Sequence, residues 1–158
     1  VVTNEPELFD FLPCRKVADI YPGAGPLAGI HAALHHARTD LVFITACDMP
    51  RLNGELIRYL ALRGDPEGVV VPEGAKGVEP LHAVYGKGCL SAVDETLAQG
   101  ERRVAAMYLR SRLTTVGQEE LAPFDPTFTS FTNINTPEEY YSLRGTTLPE
   151  GTGERGTE

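Results

Sequence analysis

Asp48 closes a short apolar run at residues 41–47 (LVFITAC) and opens Met49-Pro50. A carboxylate where a strand gives way to a turn faces the crevice at the strand's end. There it can hold Mg2+, which takes oxygen ligands and keeps waters alongside substrate phosphates. The same residue also reads as an ordinary Asp-x-Pro turn aspartate. Upstream, Gly23-Ala24-Gly25-Pro26-Leu27-Ala28-Gly29 stands between an extended stretch and a helical pattern. Glycines there allow a ligand close to the backbone, and a helix start offers free amides and partial positive charge. The alternative is a tight turn, and the GxGxxxG spacing departs from the dinucleotide pattern GxGxxG. Asn133 and Asn135 precede a helix start, where amides complete a metal or phosphate shell or simply shape the turn. Arg102 and Arg103, after Gly100, are cations for an anionic substrate or for a solvated helix start. His31 and His35 have an i, i+4 spacing without a third metal ligand, and His31, His35 and His36 are read as surface residues. His82 is placed in the core or along the crevice.

The elements that must position these groups alternate between strand and helix. Residues 15–21 form a weak strand. Leu27, Ile30 and Leu34 make an i, i+3, i+7 stripe that predicts an amphipathic helix over 25–38. The 41–47 run is short and β-branched, as in a central strand buried on both faces. Asn53 caps the next helix, with Leu56, Ile57 and Leu60 on its apolar face. Residues 68–72 and 80–85 are predicted strands, 90–97 and 104–113 predicted helices, and 127–134 a β-rich segment. Thr136-Pro137-Glu138-Glu139 is a capping-box helix start. The pattern specifies an α/β fold, a Rossmann-like three-layer sandwich with a mostly parallel sheet. In such sheets ligands bind beyond the carboxyl ends of strands. That places the chemistry at Asn4, at 19–29, at 47–50 and at 133–136.

The chain has 158 residues, enough for one core, with a net charge of -8. Nucleic acid is an unsuitable partner for an acidic surface, whereas a nucleotide can still bind locally through Mg2+ and backbone amides. Cys14, Cys47 and Cys89 are an odd, widely spaced set and are read as reduced thiols. No apolar run reaches the roughly 18 residues of a membrane helix. The N-terminus lacks a basic region before an apolar stretch, so the expected location is cytoplasmic. After Leu148 the tail has no apolar residue, and 145–158 is expected to be disordered.

Taken in order, the motifs resemble the molybdenum cofactor guanylyltransferase (MobA) family over residues 1–144. They are Gly25-Pro26-Leu27-Ala28-Gly29, Cys47-Asp48-Met49-Pro50, Glu79-Pro80-Leu81, Gly100-Glu101-Arg102-Arg103-Val104 and Asn133-Ile134-Asn135-Thr136-Pro137-Glu138-Glu139. The resemblance implies a nucleotidyltransferase-type fold and transfer of GMP from GTP to molybdopterin, with pyrophosphate released. It implies guanine-nucleotide contacts at Asn4, Asp19 and Gly25, Pro26, Leu27, Ala28 and Gly29. It makes Asp48 the Mg2+ ligand beside the GTP phosphates. It puts Asn133 and Asn135, with Arg102 and Arg103, on the molybdopterin side. Molybdoenzyme-maturation proteins are the implied protein partners. Glu79 departs from the family's glutamine. The family pattern also begins with a central strand and a glycine-rich phosphate loop, LAGGxSxRMGxDK, which these residues lack. Lys16, Lys76 and Lys87, the three lysines, lie outside any such motif. The 158 residues are therefore expected to be an incomplete domain, poorly stable and nearly inactive alone. The competing readings are a nucleotidyltransferase with another acceptor or with CTP, a non-catalytic guanine-nucleotide-binding module, and a nicotinamide-dependent oxidoreductase built on the glycine turn.

Overall fold

A computed structural model describes residues 1–146. Of the tail expected to be disordered, residues 147–158 lie outside the described residues. Four longer strands, β1 (Leu41–Thr45), β2 (Gly68–Gly74), β4 (His82–Gly86) and β5 (Arg112–Val116), form the sheet, and the short β3 (Gly77–Val78) hairpins onto β2. β4 lies between β1 and β2 and is antiparallel to both, while β5 runs parallel to β2. Thus β1, β2 and β5 share one direction and β4 opposes them. Strand periodicity carries no information on direction, so the reversed β4 was not legible.

The alternation of side chains along the strands divides the core in two. Val69, Val71, Ala83 and Tyr85 face the layer of α1 (Pro26–His36), α3 (Leu90–Ala98) and α4 (Val104–Met107). Val70, Val84 and Val116 face α2 (Gly54–Leu62) and α5 (Gln118–Leu121). The predicted three-layer α/β sandwich is the observed one. Asn53 caps α2 by accepting from Glu55 N at 2.9 Å and Leu56 N at 3.1 Å. The capping box at Thr136 starts α6 (Pro137–Leu143) as expected.

Four expectations are corrected. The helix predicted over 104–113 stops after Met107, passes through a 3-10 turn, and yields to β5, because Arg112–Val116 finds a parallel ladder on β2. The 127–134 segment forms a 3-10 turn at Thr129–Phe131 instead of a strand. Asp125 takes the amides of Thr129 at 3.1 Å and Ser130 at 2.7 Å, which supplies a local alternative to a ladder. β1 is half-buried along its length, because its edge away from β4 has no ladder partner among the described residues. His31 is 4% exposed, not a surface residue: α3 packs over it, and Asp94 meets Nε2 at 2.8 Å.

His82 is fully buried, with its ring edge-on to Phe43 and Phe131 at 5.1 and 5.0 Å. Neither ring nitrogen has a hydrogen-bond partner among the described residues. Burial, opposed by the Asp125 charge, lowers its pKa from 6.5 to about 4. The folded state therefore refuses a proton that the unfolded chain accepts, and stability falls as pH drops from about 6.5 towards 4. The loss attributable to His82 is on the order of 3 kcal/mol. Urea unfolding of wild type and His82→Leu at pH 7, 5.5 and 4.5 measures it. The variant should lack that part of the slope, and parallel pH profiles would rule the effect out.

Candidate active site

Two polar pairs stand at the carboxyl ends of neighbouring extended segments. In the first, Asp19 N donates to Asn4 Oδ1 at 3.0 Å and Asn4 Nδ2 donates to Asp19 Oδ2 at 3.3 Å. The pair is built on a parallel bridge, Val2 to Val17, closed by Thr3 N to Val17 O at 2.8 Å. Asp19 Oδ1 is buried and has no hydrogen-bond partner among the described residues. In the second pair, Asn133 Nδ2 donates to Asp48 Oδ2 at 3.2 Å. Ile134 N donates to Asp48 O at 2.8 Å, so side chain and backbone both hold the 133–134 segment against the turn after β1. Asp48 Oδ1 is likewise buried and unpartnered among the described residues.

A slot of about 780 Å3 reaches from Asp19 to Cys47, the residue before Asp48. Asp19, Gly25, Pro26 and Gly29 line it, as do Thr45, Ala46 and Cys47. Its long wall is the unpaired edge of β1, facing Val2 and Val17. The loop into α1 needs glycine twice, since Gly23 and Gly25 have φ of 76° and 68°. Gly29 needs no such conformation, and a Cβ there would meet nothing within 4 Å. Its missing side chain keeps the slot open without serving the fold.

The sequence-predicted residues divide accordingly. Asp19, Gly25, Pro26 and Gly29 line the slot, with Asn4 bonded to Asp19, while Asp48 follows the slot-lining Cys47 and is bonded to Asn133, which lines a neighbouring hollow. Leu27 and Ala28 are fully buried in the core, so only their backbone can serve a ligand. Asn135 does not join Asp48; its amide donates to Glu139 Oε2 at 2.7 Å within the helix cap. Arg103 is paired with Glu101 at 2.8 Å, and this bond with the Arg103 and Arg102 amides holds the Glu101 carboxyl down at about 2. Arg102 lines a separate hollow of about 320 Å3 with Ile20, Tyr21 and Ala24, on the side of the glycine turn. Sequence reasoning passed over Arg51, which lines a third hollow of about 540 Å3 together with Asn133 and α6. Its signal was a cation three residues after Asp48.

A three-layer α/β sandwich with a carboxylate at a strand end and a glycine turn into a helix suits nucleotide transfer, the chemistry of the nucleotidyltransferase class. The model of the MobA-like NTP transferase domain matches residues 1–115. A molybdenum cofactor guanylyltransferase of Desulfosudis oleivorans is 40% identical over 88% of this chain and 69% of its own length. A relative in Pelotomaculum thermopropionicum is 38% identical over 84% of this chain and 65% of its own. The crystal structure of molybdopterin-guanine dinucleotide biosynthesis protein A from Archaeoglobus fulgidus superposes with a TM-score of 0.74 at 28% identity, covering 89% of this chain and 71% of that one. The chain belongs to the molybdenum cofactor guanylyltransferase family and is a nucleotidyltransferase; it spans about two thirds of the length of these relatives. Nucleotidyltransferases of this type use a divalent cation. The family sets aside the oxidoreductase reading of the glycine turn. Among the described residues no helix is long and apolar enough to cross a membrane.

Proposed function

We propose that the domain, within a whole protein that also supplies the family's phosphate loop, transfers GMP from GTP to molybdopterin. The observation that carries this reading is the pair of buried, unpartnered carboxylate oxygens, one on Asp19, which lines the slot, and one on Asp48, the residue after the slot-lining Cys47. An orphaned carboxylate oxygen is costly unless a ligand completes it. At Asp48 a cation fits. Among the described residues no group of three or more acidic, His or Cys side chains gathers there. A single protein carboxylate suits Mg2+, which takes its remaining ligands from waters and substrate phosphates. Bound there, Mg2+ would neutralise charge on the GTP phosphates. Asn133 fixes the orientation of the carboxylate by donating to Oδ2 and leaving Oδ1 free.

At Asp19 the free oxygen and its bonded neighbour suit the N1–H and exocyclic amine of guanine. Adenine and cytosine lack that donor pair. In the transfer, an oxygen of the molybdopterin phosphate forms a bond to the α-phosphorus of GTP. The bond from that phosphorus to the bridging β-oxygen breaks, and the electron pair leaves with pyrophosphate. The attacking phosphate is already ionised, so no general base is needed. Alignment and charge stabilisation do the catalysis. We also propose that a further strand pairs with the free edge of β1, a reading supported by the unpaired ladder and the apolar walls of the slot. A cytoplasmic setting accords with the three free cysteines.

The test is pyrophosphate release with each nucleoside triphosphate, with molybdopterin as acceptor. Wild type should prefer GTP. Asp19→Asn should raise the KM for GTP about 10- to 100-fold, the equivalent of roughly 1–3 kcal/mol for a lost bidentate base contact. Its kcat should change little, and its preference for GTP over CTP should shrink. A wild type indifferent to the base, or a variant with unaltered discrimination, would remove Asp19 from base recognition.

A further inference from the structure

We propose that Arg51 grips the phosphate of the acceptor, a residue assignment that rests on the transferase reading above. The hollow near Asp48 is lined by Pro50-Arg51, by Thr132, Asn133 and Ile134, and by α6. Asn133 joins it to the reaction centre, since the same side chain donates to Asp48. Its other charged walls are Glu138 and Glu139, which would repel a phosphate. Glu139 is committed to the α6 cap, where it accepts from the Asn135 and Thr136 amides at 2.7 and 3.2 Å. Arg51 is the one Lys or Arg lining this hollow.

Arg51 makes no ion pair or side-chain hydrogen bond among the described residues. Arg63, Arg103, Arg110 and Arg112 each hold a carboxylate. A guanidinium left without a carboxylate in an otherwise acidic hollow is available to an anion, and its planar fork matches two phosphate oxygens. Arg102 is also free of such partners, but it opens into the hollow beside Tyr21 and not into the one shared with Asn133. The acceptor phosphate has to reach the α-phosphorus near Asp48, and of the two arginines Arg51 is on that wall.

Equilibrium binding of molybdopterin to the whole protein, followed by pterin fluorescence without GTP, tests this independently of turnover. Arg51→Ala should weaken binding about 10- to 100-fold, as expected for loss of a charged hydrogen-bonding partner. Arg51→Lys should restore only part of it, because an ammonium cannot form the fork. Arg58→Ala, at an exposed α2 cation that does not line this hollow, should leave it unchanged. Magnesium-dependent GTP binding should stay within about twofold in both Arg51 variants, and their melting temperatures should match wild type because Arg51 is exposed. Unchanged molybdopterin binding in Arg51→Ala overturns the inference. A wild type that binds molybdopterin through Arg51 but releases no pyrophosphate sinks the transferase reading and leaves the inference standing. A wild type that does not bind molybdopterin overturns both.

Discussion

Asp48→Asn is expected to lower kcat/KM for guanylyl transfer by about 10³-fold or more, roughly 4 kcal/mol of transition-state stabilisation. The size follows from what the carboxylate faces. Oδ2 takes one hydrogen bond, from Asn133, and Oδ1 takes none within the protein. An amide in its place keeps the shape and the turn but removes the charge that would hold a divalent cation. Stability should change by under about 1 kcal/mol, since one exposed-side hydrogen bond is all the fold loses. Asn133→Ala should cost less, about 10-fold, because it only orients Asp48. The double variant should be no worse than Asp48→Asn alone, since residues acting as a unit are not additive. Steady-state pyrophosphate release at a series of Mg2+ concentrations, alongside thermal melts, measures all three. An Asp48→Asn protein that kept a third of wild-type activity would exclude Asp48 as the metal ligand.

The two ends of this site were legible because each is punctuated. A β-branched run stops at Asp48, and an extended stretch stops before the glycine turn. Those interruptions mark strand ends, where an α/β sheet binds ligands. What the sequence did not carry was which ends meet. The contact between Asp48 and Asn133 spans 85 positions and depends on how the 3-10 turn at Thr129–Phe131 redirects the chain. That turn is set by Asp125, whose local hydrogen bonds overrode the β-rich composition around it. The arginines show the same limit. Arg102 and Arg103 are adjacent in sequence, yet Glu101 ties up one while the other opens into a hollow beside the glycine turn.

The fold was legible where periodicity was long and misread where a segment was short. The stripe Leu27, Ile30 and Leu34 is fully buried in α1. Spacing could not show that His31 shares that buried face, because the adjacent polar His35 and His36 made the patch look solvated. Only α3, with Asp94, explains it. β5 was hidden behind a helical stripe that includes Val104 and Met107 and continues into the 3-10 turn, so nothing local announced the change of period at Ser111. A strand of five residues is decided by its ladder, here against β2, more than by its own propensity.

Gly86→Ala tests whether that ladder framework in turn fixes the site. Gly86 ends β4 opposite Leu41, the first residue of β1. Its φ is not the reason for glycine; the space is. A Cβ there would collide with the backbone carbonyls of Asp65 and Pro66. Those atoms cannot step aside, because Asp65 O accepts from Gly68 N at 2.9 Å and Pro66 O from Gly88 N at 2.8 Å. The Asp65 side chain is held at both oxygens by Glu67 N and Arg112. One added methyl therefore has to displace β4 itself, at a cost of about 3 kcal/mol or more. For a chain of this size that lowers the melting temperature by roughly 10 °C. Because β4 aligns β1 residue by residue from Leu41 to Thr45, the shift is passed to the turn that carries Asp48. Gly29→Ala is the contrast: its Cβ enters open space within α1, so the melt should not fall and should rise slightly. The methyl would sit in the slot, so the KM for GTP should rise while the fold is unharmed. Melting curves and GTP titrations of the two variants separate a glycine kept for packing from a glycine kept for a ligand. If Gly86→Ala melted like wild type, the Asp65-Pro66 loop would have to be softer than its hydrogen bonds imply.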